Sequence, residues 1–405
     1  MSKIITDKEK INKILTRGVE MIYPTRQDLE KVLLSGKKIR LYCGFDPSAP
    51  TLHIGNAILI SKLAQFQELG HEVIFLIGDF TGMIGDPTDK DAARKKMTRK
   101  QVLENSKNYK KQASVWLKFS GSNPAKVLYN SEWNDKLSFR DLIELASNFT
   151  VQQMIQRDMF QERLKNEEPI YLHEFLYPLA QGYDSVAMDV DLEIGGNDQM
   201  FNMMAGRDLM KAVKNKEKYV LTMKLLVDPT GKKMGKSEGN MITLEDSAED
   251  MYGKAMSYPD SAIIVGLELL SNIKMDIIKE MEQSIKQGEN PMQYKKVMAF
   301  EIVKTIKGLK EAQKAQKHFE RTVQKKETPA AVDSLQLSVG SINIVELLMK
   351  VGLVSSKGEA RRLIEQGGIK VNGETVKSDK KKVEITKEGV LVQRGKRQFV
   401  RVIKA

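Results

Sequence analysis

The sequence predicts an α/β fold with a doubly wound, mainly parallel sheet, followed by a helical region and a small, basic α+β tail. Three observations lead to this prediction. A strand–helix–strand pattern occurs near the N-terminus, strands and helices alternate again after a helix-rich stretch at 90–190, and positive charge is concentrated at the C-terminal end.

The composition limits the class of protein. A chain of 405 residues with 41% hydrophobic residues can form roughly two to four domains with sizeable cores. Cys43 is the only cysteine, so an intramolecular disulfide is excluded. The charged N-terminus lacks the apolar segment of a signal peptide, and no apolar run approaches the ~20 residues of a membrane span. We therefore expect a soluble, cytoplasmic protein.

The predicted first half of the sheet begins after an irregular or helical lead-in of about 35 residues. In Lys38–Cys43, apolar and polar residues alternate as in a strand. Ile54–Leu69 repeats apolar residues at helical spacing and stops at Gly70. Val73–Ile77 is a continuous apolar run, typical of a strand buried on both faces. Together these elements predict a right-handed βαβ unit with parallel strands.

The second half of the sheet is predicted after the helical insertion at about 90–190. Asp191–Ile194 is predicted to be a strand, Gly195–Gly196 a turn, and a helix is expected from about Phe201. Tyr219–Met223 is a further strand candidate. The predicted domains are 1–243, a helical domain at 244–320, a linker at 321–340 and a tail at 341–405.

The tail carries 15 of the lysines and arginines against seven acidic residues, so most of the net charge of +12 lies there. Ser356 and Glu359 form a capping-box pattern, and the helix it opens should end at Gly367–Gly368. Asn372-Gly373 predicts a type I′ hairpin turn. This charge favours a polyanion such as nucleic acid, although a lysine-rich solvated surface would have the same composition.

Two short motifs suggest chemistry. His53-Ile54-Gly55-Asn56 lies where a strand is followed by a helix N-terminus, a place that favours phosphate binding. Lys232-Lys233-Met234-Gly235-Lys236-Ser237 lies in a glycine-rich loop, where two lysines could neutralise a leaving pyrophosphate. Taken singly, the first motif could be a structural helix start and the second a solvated charged loop.

In combination the motifs resemble a known family. HIGN and KMGKS, in this order, are similar to the HIGH and KMSKS signatures of class I aminoacyl-tRNA synthetases. The segments YCGFDPSAPTLHIGN, TGMIGDP (81–87), YPLAQGYDS (177–185) and IGGNDQ (194–199) resemble the tyrosyl-tRNA synthetases. The resemblance covers most of residues 30–245, and the tail resembles the S4-type RNA-binding domain of the bacterial enzymes.

The resemblance implies a tyrosine–tRNA ligase that uses ATP with Mg²⁺, without a structural metal, and a homodimer that binds tRNA. It assigns catalysis to Ser48, His53, Asn56, Lys233 and Lys236, and ATP binding to Gly55, Gly196, Asp198 and Lys236. It assigns tyrosine binding to Tyr42, Asp46, Asp86, Tyr177, Gln181, Asp184 and Gln199. The basic residues of the tail, which we expect to contact RNA phosphates, are Lys357, Arg361, Arg362, Lys370, Arg394, Lys396 and Arg397.

Three positions depart from the family pattern. Asn56 replaces the second histidine of HIGH, and its amide can donate a hydrogen bond as an imidazole does. Gly235 replaces the central serine of KMSKS. Glu193 stands where many relatives carry glutamine, which adds a charge beside the tyrosine pocket.

Two other functions share some of these features. A tryptophanyl-tRNA synthetase would have the same fold and signatures, but no use for a Tyr42/Asp184 pair suited to a phenol, and that family lacks an S4-type tail. A non-catalytic RNA-binding paralogue could keep the fold and the tail, but would be free to lose His53, Asp184 and the loop lysines.

Overall fold

The computed structural model describes residues 3–88, 97–227, 241–324, 333–337, 340–386, 388–395 and 398–404. The chain forms two compact units, Met1–Asp246 with Ser257–Glu301, and Ser247–Met256 with Ile302–Ala405. The domain borders given above remain predictions.

The first unit is built on a six-stranded sheet in the order β1-β6-β5-β2-β3-β4. All neighbouring pairs are parallel except β1 and β6, which are antiparallel. The order reverses between β2 and β5, so the carboxyl ends of these strands form the switch point of a doubly wound sheet. The predicted fold class is therefore confirmed. The strands are β1 Val19–Tyr23, β2 Arg40–Phe45, β3 Glu72–Ile77, β4 Lys126–Tyr129, β5 Leu192–Gly196 and β6 Tyr219–Met223.

The two edge strands, β1 and β4, were not predicted. β1 lies in the lead-in expected to be irregular or helical, and β4 lies inside the insertion expected to be helical. Both are short and half-exposed, so neither has the continuous apolar run that marks the central strands. The turn predicted at Gly195–Gly196 is also wrong, because both glycines belong to β5 and pair with β6.

Helices pack against this sheet, α3 on β2 and β3 and α12 on β5 and β6. The predicted helix after β2 is confirmed as α3, Ile54–Glu68, and the helix after β5 begins at Met200. The helices of the first half are α1 Lys8–Thr16, α2 Arg26–Leu34, α3 Ile54–Glu68, α4 Thr81–Ile84, α5 Arg99–Ser106 and α6 Tyr109–Ala113. Those that follow are α7 Ser131–Asn134, α8 Phe139–Ala146, α9 Val151–Ile155, α10 Asp158–Lys165, α11 Tyr177–Met188 and α12 Met200–Lys214.

Helices α11 and α12 approach each other closely through glycines. A Cβ on Gly182 would lie 3.2 Å from the Gly206 nitrogen, and a Cβ on Gly206 would lie 2.5 Å from Nζ of Lys218. Larger residues would push the two helices apart. Lys218, which is buried, lies at this close approach.

Residues 244–320 are helical, as predicted. The helices are α13 Ala248–Met256, α14 Ala262–Leu270, α15 Met275–Lys286, α16 Pro291–Lys307 and α17 Leu309–Phe319. Among the described residues, none of the helices is both long and apolar enough to cross a membrane.

The second unit contains a separate mixed sheet in the order β10-β9-β12-β13-β7 and a two-stranded sheet of β8 and β11. Its own apolar core includes Leu347, Ala360, Ile369, Val392 and Val402, all fully buried. The elements are β7 Asp333–Leu337, β8 Ser341–Asn343, α18 Ile344–Lys350, α19 Lys357–Glu365, β9 Ile369–Val371, β10 Glu374–Thr375, β11 Lys382–Glu384, β12 Val390–Arg394 and β13 Gln398–Lys404.

Local predictions for the tail hold well. Ser356 caps α19 by accepting a hydrogen bond from the Glu359 backbone nitrogen at 3.1 Å. Asn372 and Gly373 have φ angles of 48° and 86°, as a type I′ turn requires. The exception is β7, which lies within the range predicted as a linker. It pairs in parallel with β13, so these five residues are strand rather than linker.

Candidate active site

A cavity of about 1410 Å³ lies at the carboxyl ends of β2 and β5. This is the position at which doubly wound sheets bind ligands. Within the described part of the chain, every residue predicted to bind tyrosine or ATP lines it: Tyr42, Asp46, Ser48, His53, Gly55, Asn56, Asp86, Tyr177, Gln181, Asp184, Gly196, Asp198 and Gln199. The structure thus brings together segments that lie far apart in the sequence.

Asp184 is a buried carboxylate held by three nitrogen donors. Oδ1 accepts from Trp133 Nε1 at 2.7 Å and from Asn134 Nδ2 at 3.0 Å, and Oδ2 accepts from Asn130 Nδ2 at 3.1 Å. Burial raises the pKa of Asp184 to about 8, and these hydrogen bonds oppose the rise. Asp184 also lines the cavity, within reach of a polar group of a ligand.

The Tyr42 hydroxyl does not pair with Asp184. It lies 2.9 Å from Ser185 Oγ. Burial raises the pKa of Tyr42 well above its ordinary value, with the carboxylates of Glu193 and Asp184 adding to the rise. The phenol of Tyr42 is therefore neutral and available as a hydrogen-bonding group.

Behind Ser185 lies a buried ion pair. Nζ of Lys218 donates to Glu193 Oε2, to Ser185 Oγ at 2.9 Å and to the Met203 carbonyl at 3.1 Å. Glu193 Oε1 in turn accepts from Gln181 Nε2 at 3.1 Å. The charge of Glu193 beside the pocket, unexplained by the sequence, is thus neutralised by Lys218.

Asp46 and Tyr177 are joined directly. Tyr177 Oη donates to Asp46 Oδ2 at 2.8 Å, and Thr81 Oγ1 donates to Oδ1 at 2.6 Å. Burial raises the pKa of Asp46 to about 7, although these two hydrogen bonds act in the opposite direction. Since Tyr177 donates its hydrogen to Asp46, its oxygen is left as an acceptor towards the cavity.

Asp86 and Gln199 form a second pair in the cavity wall. Gln199 Nε2 donates to Asp86 Oδ2 at 2.6 Å and to Thr88 Oγ1 at 3.2 Å. Gln199 Oε1 accepts from Asn202 Nδ2 at 3.0 Å. A Cβ on Gly196 would lie 2.4 Å from Asp198 Oδ1, so glycine leaves room for this carboxylate.

His53 and Asn56 form the N-terminal cap of α3. His53 Nδ1 accepts from the Gly55 nitrogen at 3.1 Å, and Asn56 Oδ1 accepts from the His53 nitrogen at 3.0 Å. The neutral imidazole therefore carries its hydrogen on Nε2, and the Asn56 amide keeps Nδ2 as a donor. Both residues of the HIGN motif thus cap α3 at the wall of the cavity.

The second motif, Lys232–Ser237, lies outside the described residues. Its described flanks adjoin the first motif. Leu226 and Met241 line the cavity, and Ile54 donates its backbone hydrogen bond to the Ile242 carbonyl at 3.0 Å. The chain on both sides of the loop thus lies at the same cavity as HIGN.

Several residues of the site were not predicted. They are Thr81, Asn130, Trp133, Asn134, Ser185 and Lys218. Thr81 and Ser185 lie inside the family motifs TGMIGDP and YPLAQGYDS, so the resemblance could have indicated them. No sequence pattern indicated residues 130–134, because the strand β4 that precedes them was not predicted.

The basic residues of the tail do not all share one role. Lys357, Arg361 and Arg362 are exposed on α19. Arg394 instead donates to Glu359 at 2.7 Å and to the Leu353 carbonyl, so it ties β12 to α19. Arg361 forms an exposed ion pair with Asp379 at 3.2 Å. Lys396 and Arg397 lie outside the described residues.

The site combines anionic and neutral polar groups, which suit a zwitterion with a polar tail, with a helix N-terminus that suits phosphate. In agreement, the family model for class I tRNA synthetases (W and Y) matches residues 34–324, and one for the tyrosine–tRNA ligase SYY-like C-terminal domain matches residues 324–402. The chain belongs to the family of class I tRNA synthetases specific for tryptophan and tyrosine.

Full-length relatives narrow this class to the tyrosine enzymes. The chain is 43% identical over 400 residues to a tyrosine–tRNA ligase of Thermotoga maritima, covering 98% of each. It is 41% identical over 402 residues to that of Aquifex aeolicus, covering 98% of this chain and all of the relative. The predicted enzyme class and its tyrosyl member are confirmed.

Solved structures agree on the fold. A C-terminally truncated mitochondrial tyrosyl-tRNA synthetase of Coccidioides posadasii superposes with a TM-score of 0.59 at 25% identity, covering 76% of this chain and 91% of that chain. The tyrosyl-tRNA synthetase of Archaeoglobus fulgidus, solved with L-tyrosine, gives 0.59 at 22% identity and covers 76% and 100%.

Proposed function

We propose that the chain activates L-tyrosine with ATP, forming tyrosyl-adenylate and pyrophosphate, and then transfers tyrosine to the 3′ end of tRNA(Tyr). The observation that carries this proposal is the shared cavity. It joins the buried carboxyl group of Asp184 to a phosphate-favouring helix start at His53.

The activation step is an in-line displacement at the α-phosphorus of ATP. A carboxylate oxygen of tyrosine forms the new P–O bond while the bond to pyrophosphate breaks, and no proton has to move. Catalysis is therefore mostly positioning and charge stabilisation. His53 Nε2 and Ser48 would donate to the phosphates, and Lys233 and Lys236 would neutralise the charge that develops on pyrophosphate. Mg²⁺ would enter bound to ATP.

Tyrosine fits the hydrogen-bonding capacity left open in the wall. Its phenol would donate to Asp184 and accept from Tyr42. Its ammonium group would donate to Asp86, to the Tyr177 oxygen and to Gln181 Oε1, a buried acceptor with no partner among the described residues. Gln199 would contact the carboxylate.

ATP would occupy the wall next to α3. The Asn56 amide hydrogen and the Asp198 carboxylate provide a donor and an acceptor for the ribose. Gly55 and Gly196 leave room for the nucleotide, and each also leaves room for a neighbouring side chain: a Cβ on Gly55 would lie 2.9 Å from the His53 ring.

An apolar surface supports the proposed homodimer. Phe139, Val151 and Leu172 are 78%, 71% and 79% exposed, higher fractions than any other large apolar side chain in the described ranges. Ile143, Leu164 and Tyr171, from the same stretch of the chain, are exposed as well. We propose that these six side chains form one surface that a second copy of the chain covers, and that the enzyme works as a cytoplasmic dimer, with the S4-type tail gripping tRNA phosphates.

Charging of tRNA tests the function as a whole. The enzyme should attach labelled tyrosine to bacterial tRNA, and tryptophan should not compete. Charging with tryptophan would instead identify a tryptophanyl enzyme. Salt-sensitive tRNA binding without any charging would favour a non-catalytic RNA-binding protein.

A further inference from the structure

The buried pair of Glu193 and Lys218 is more than a neutralised charge. Lys218 is 0% exposed and Glu193 is 2% exposed, and neither carboxylate oxygen nor any ammonium hydrogen is left without a partner. Burying an ion pair gives little net stability compared with apolar residues of similar size. A pair that is fully satisfied and lies against a ligand pocket therefore calls for a role in that pocket.

Glu193 fixes the orientation of Gln181. A carboxylate can only accept, so the Gln181 amide must direct Nε2 towards Glu193 Oε1, at 3.1 Å. The amide oxygen then faces the other way, where it is buried and unpartnered among the described residues. A glutamine at position 193 could either donate or accept, so it would leave the Gln181 amide free to flip.

Lys218 orders a hydrogen-bond chain to Tyr42. An ammonium group can only donate, so Ser185 Oγ accepts from Lys218, and the same oxygen is hydrogen-bonded to Tyr42 Oη, 2.9 Å away. Lys218 therefore holds Ser185, and Ser185 holds the Tyr42 hydroxyl in place at the cavity wall. The space for this arrangement depends on Gly206, where a Cβ would lie 2.5 Å from Lys218 Nζ and 3.0 Å from Ser185 Oγ.

We propose that Glu193 and Lys218 are positioning residues that set the polarity of the tyrosine pocket from behind. Glu193 presents the Gln181 oxygen to the ammonium group of the amino acid, and Lys218, through Ser185, holds the Tyr42 hydroxyl in position for the phenol. Neither touches the substrate. This inference rests on the proposed function, since it assumes that tyrosine occupies the cavity.

Two ligand comparisons test the role of Glu193 and the role of Lys218 separately. Glu193→Gln should weaken tyrosine binding about tenfold, the loss of one well-placed hydrogen bond. It should leave binding of 3-(4-hydroxyphenyl)propionate, which lacks the ammonium group, unchanged. Lys218→Met should reduce the preference for tyrosine over phenylalanine about tenfold, and the KM for tyrosine should rise more than kcat falls.

Calorimetric titration of the full-length protein supplies the affinities, and thermal melting reports folding. Lys62→Met is the matched control, because Lys62 is also buried and donates to the Ile14 and Arg17 carbonyls outside the cavity. It should lower the melting temperature and leave tyrosine affinity unchanged. The double variant Glu193→Gln/Lys218→Met leaves no unpaired buried charge. If the single variants do not fold, the same affinities are measured on this double variant.

Folded variants that bind all three ligands as the parent does, or that lose them equally, would overturn the proposal. So would a double variant that cannot fold, because it would show that the pair is purely structural. These results are distinct from a failure of the proposed function, in which the unaltered protein would itself neither bind nor activate tyrosine.

Discussion

Trp133 donates its indole Nε1 hydrogen to Asp184 Oδ1 across 2.7 Å, which places a carboxylate and an aromatic ring together in the interior. The pKa values of Asp184, at about 8, and Asp46, at about 7, are raised chiefly by burial. The folded chain therefore keeps protons that unfolded aspartates, with pKa values of about 3.9, have released. The contribution of these two aspartates to the free energy of unfolding is therefore largest below about pH 4. It is lost as the pH rises through 7 to 8.

The first prediction concerns this loss of stability. Asp184→Asn removes the titrating group and should make the melting temperature fall less steeply between pH 5 and 8 than in the parent. Melting curves in a series of buffers measure the slope. Glu374→Gln, which removes an exposed carboxyl, is the control and should leave the slope unchanged. An unaltered slope in Asp184→Asn would show that Asp184 ionises normally.

The second prediction concerns the apolar surface on the first unit. Phe139→Asp should convert a dimer to monomers, because a charge would have to be buried in the interface. Light scattering after gel filtration measures the mass. Leu309→Asp changes an equally apolar, 54% exposed residue of α17 and should leave the mass unchanged. A parent that is monomeric at micromolar concentration would refute the proposed dimer.

The third prediction concerns the lysine loop. Lys236→Ala should lower kcat for adenylate formation on the order of a hundredfold with little change in the KM for tyrosine, because its charge is needed where pyrophosphate develops. Single-turnover kinetics separates this step from product release. Lys100→Ala, on the exposed face of α5, is the control. A normal kcat combined with weakened tyrosine binding would contradict the assigned role.

The fourth prediction is that adenylate formation needs only the part of the chain before the tail, whereas transfer to tRNA also needs the tail. The predicted linker at 321–340 would place the cut at its end, but β7 lies within that range and belongs to the second sheet, so the cut belongs before β7. A chain ending at Gln324, where the two family models meet, should form tyrosyl-adenylate near the parent rate and lose tRNA charging.

The separate core of the tail supports the complementary experiment. A fragment from residue 325 onwards should bind tRNA with an affinity that falls steeply with added salt, as phosphate contacts require. Full charging by the truncated chain, or loss of adenylate formation, would show that the tail has another role.

The central strands and the HIGN motif could be predicted from sequence because each carries a local signal. Val73–Ile77 is continuously apolar, and His53 and Asn56 lie in the first turn of a helix with clear periodicity. The cavity residues were reached through the family resemblance, since nothing local marks Gln181 or Asp184 as ligands.

The remainder depends on contacts between distant segments. Lys218 reaches Ser185 and Glu193 in a space left by the glycines at which α11 and α12 approach, and no sequence pattern assigned this lysine a role. The RNA contact of Arg394 stays a prediction from charge, and its hydrogen bond to Glu359 is a contact that the sequence did not indicate. Sequence patterns report the faces of single elements, and side chains that join several elements leave no such pattern.

The most direct test of the account is amino-acid-dependent pyrophosphate exchange with ATP, measured for the parent and for Asp184→Ala. We predict that the parent exchanges with tyrosine, far less with phenylalanine, and not with tryptophan or without an amino acid. Asp184→Ala should lose roughly a hundredfold in kcat/KM for tyrosine, because the buried phenol would lose its hydrogen-bond partner, and much less for phenylalanine. Exchange that favours tryptophan, or an equal loss for tyrosine and phenylalanine, would contradict the assignment of Asp184 to the phenol and the function built on it.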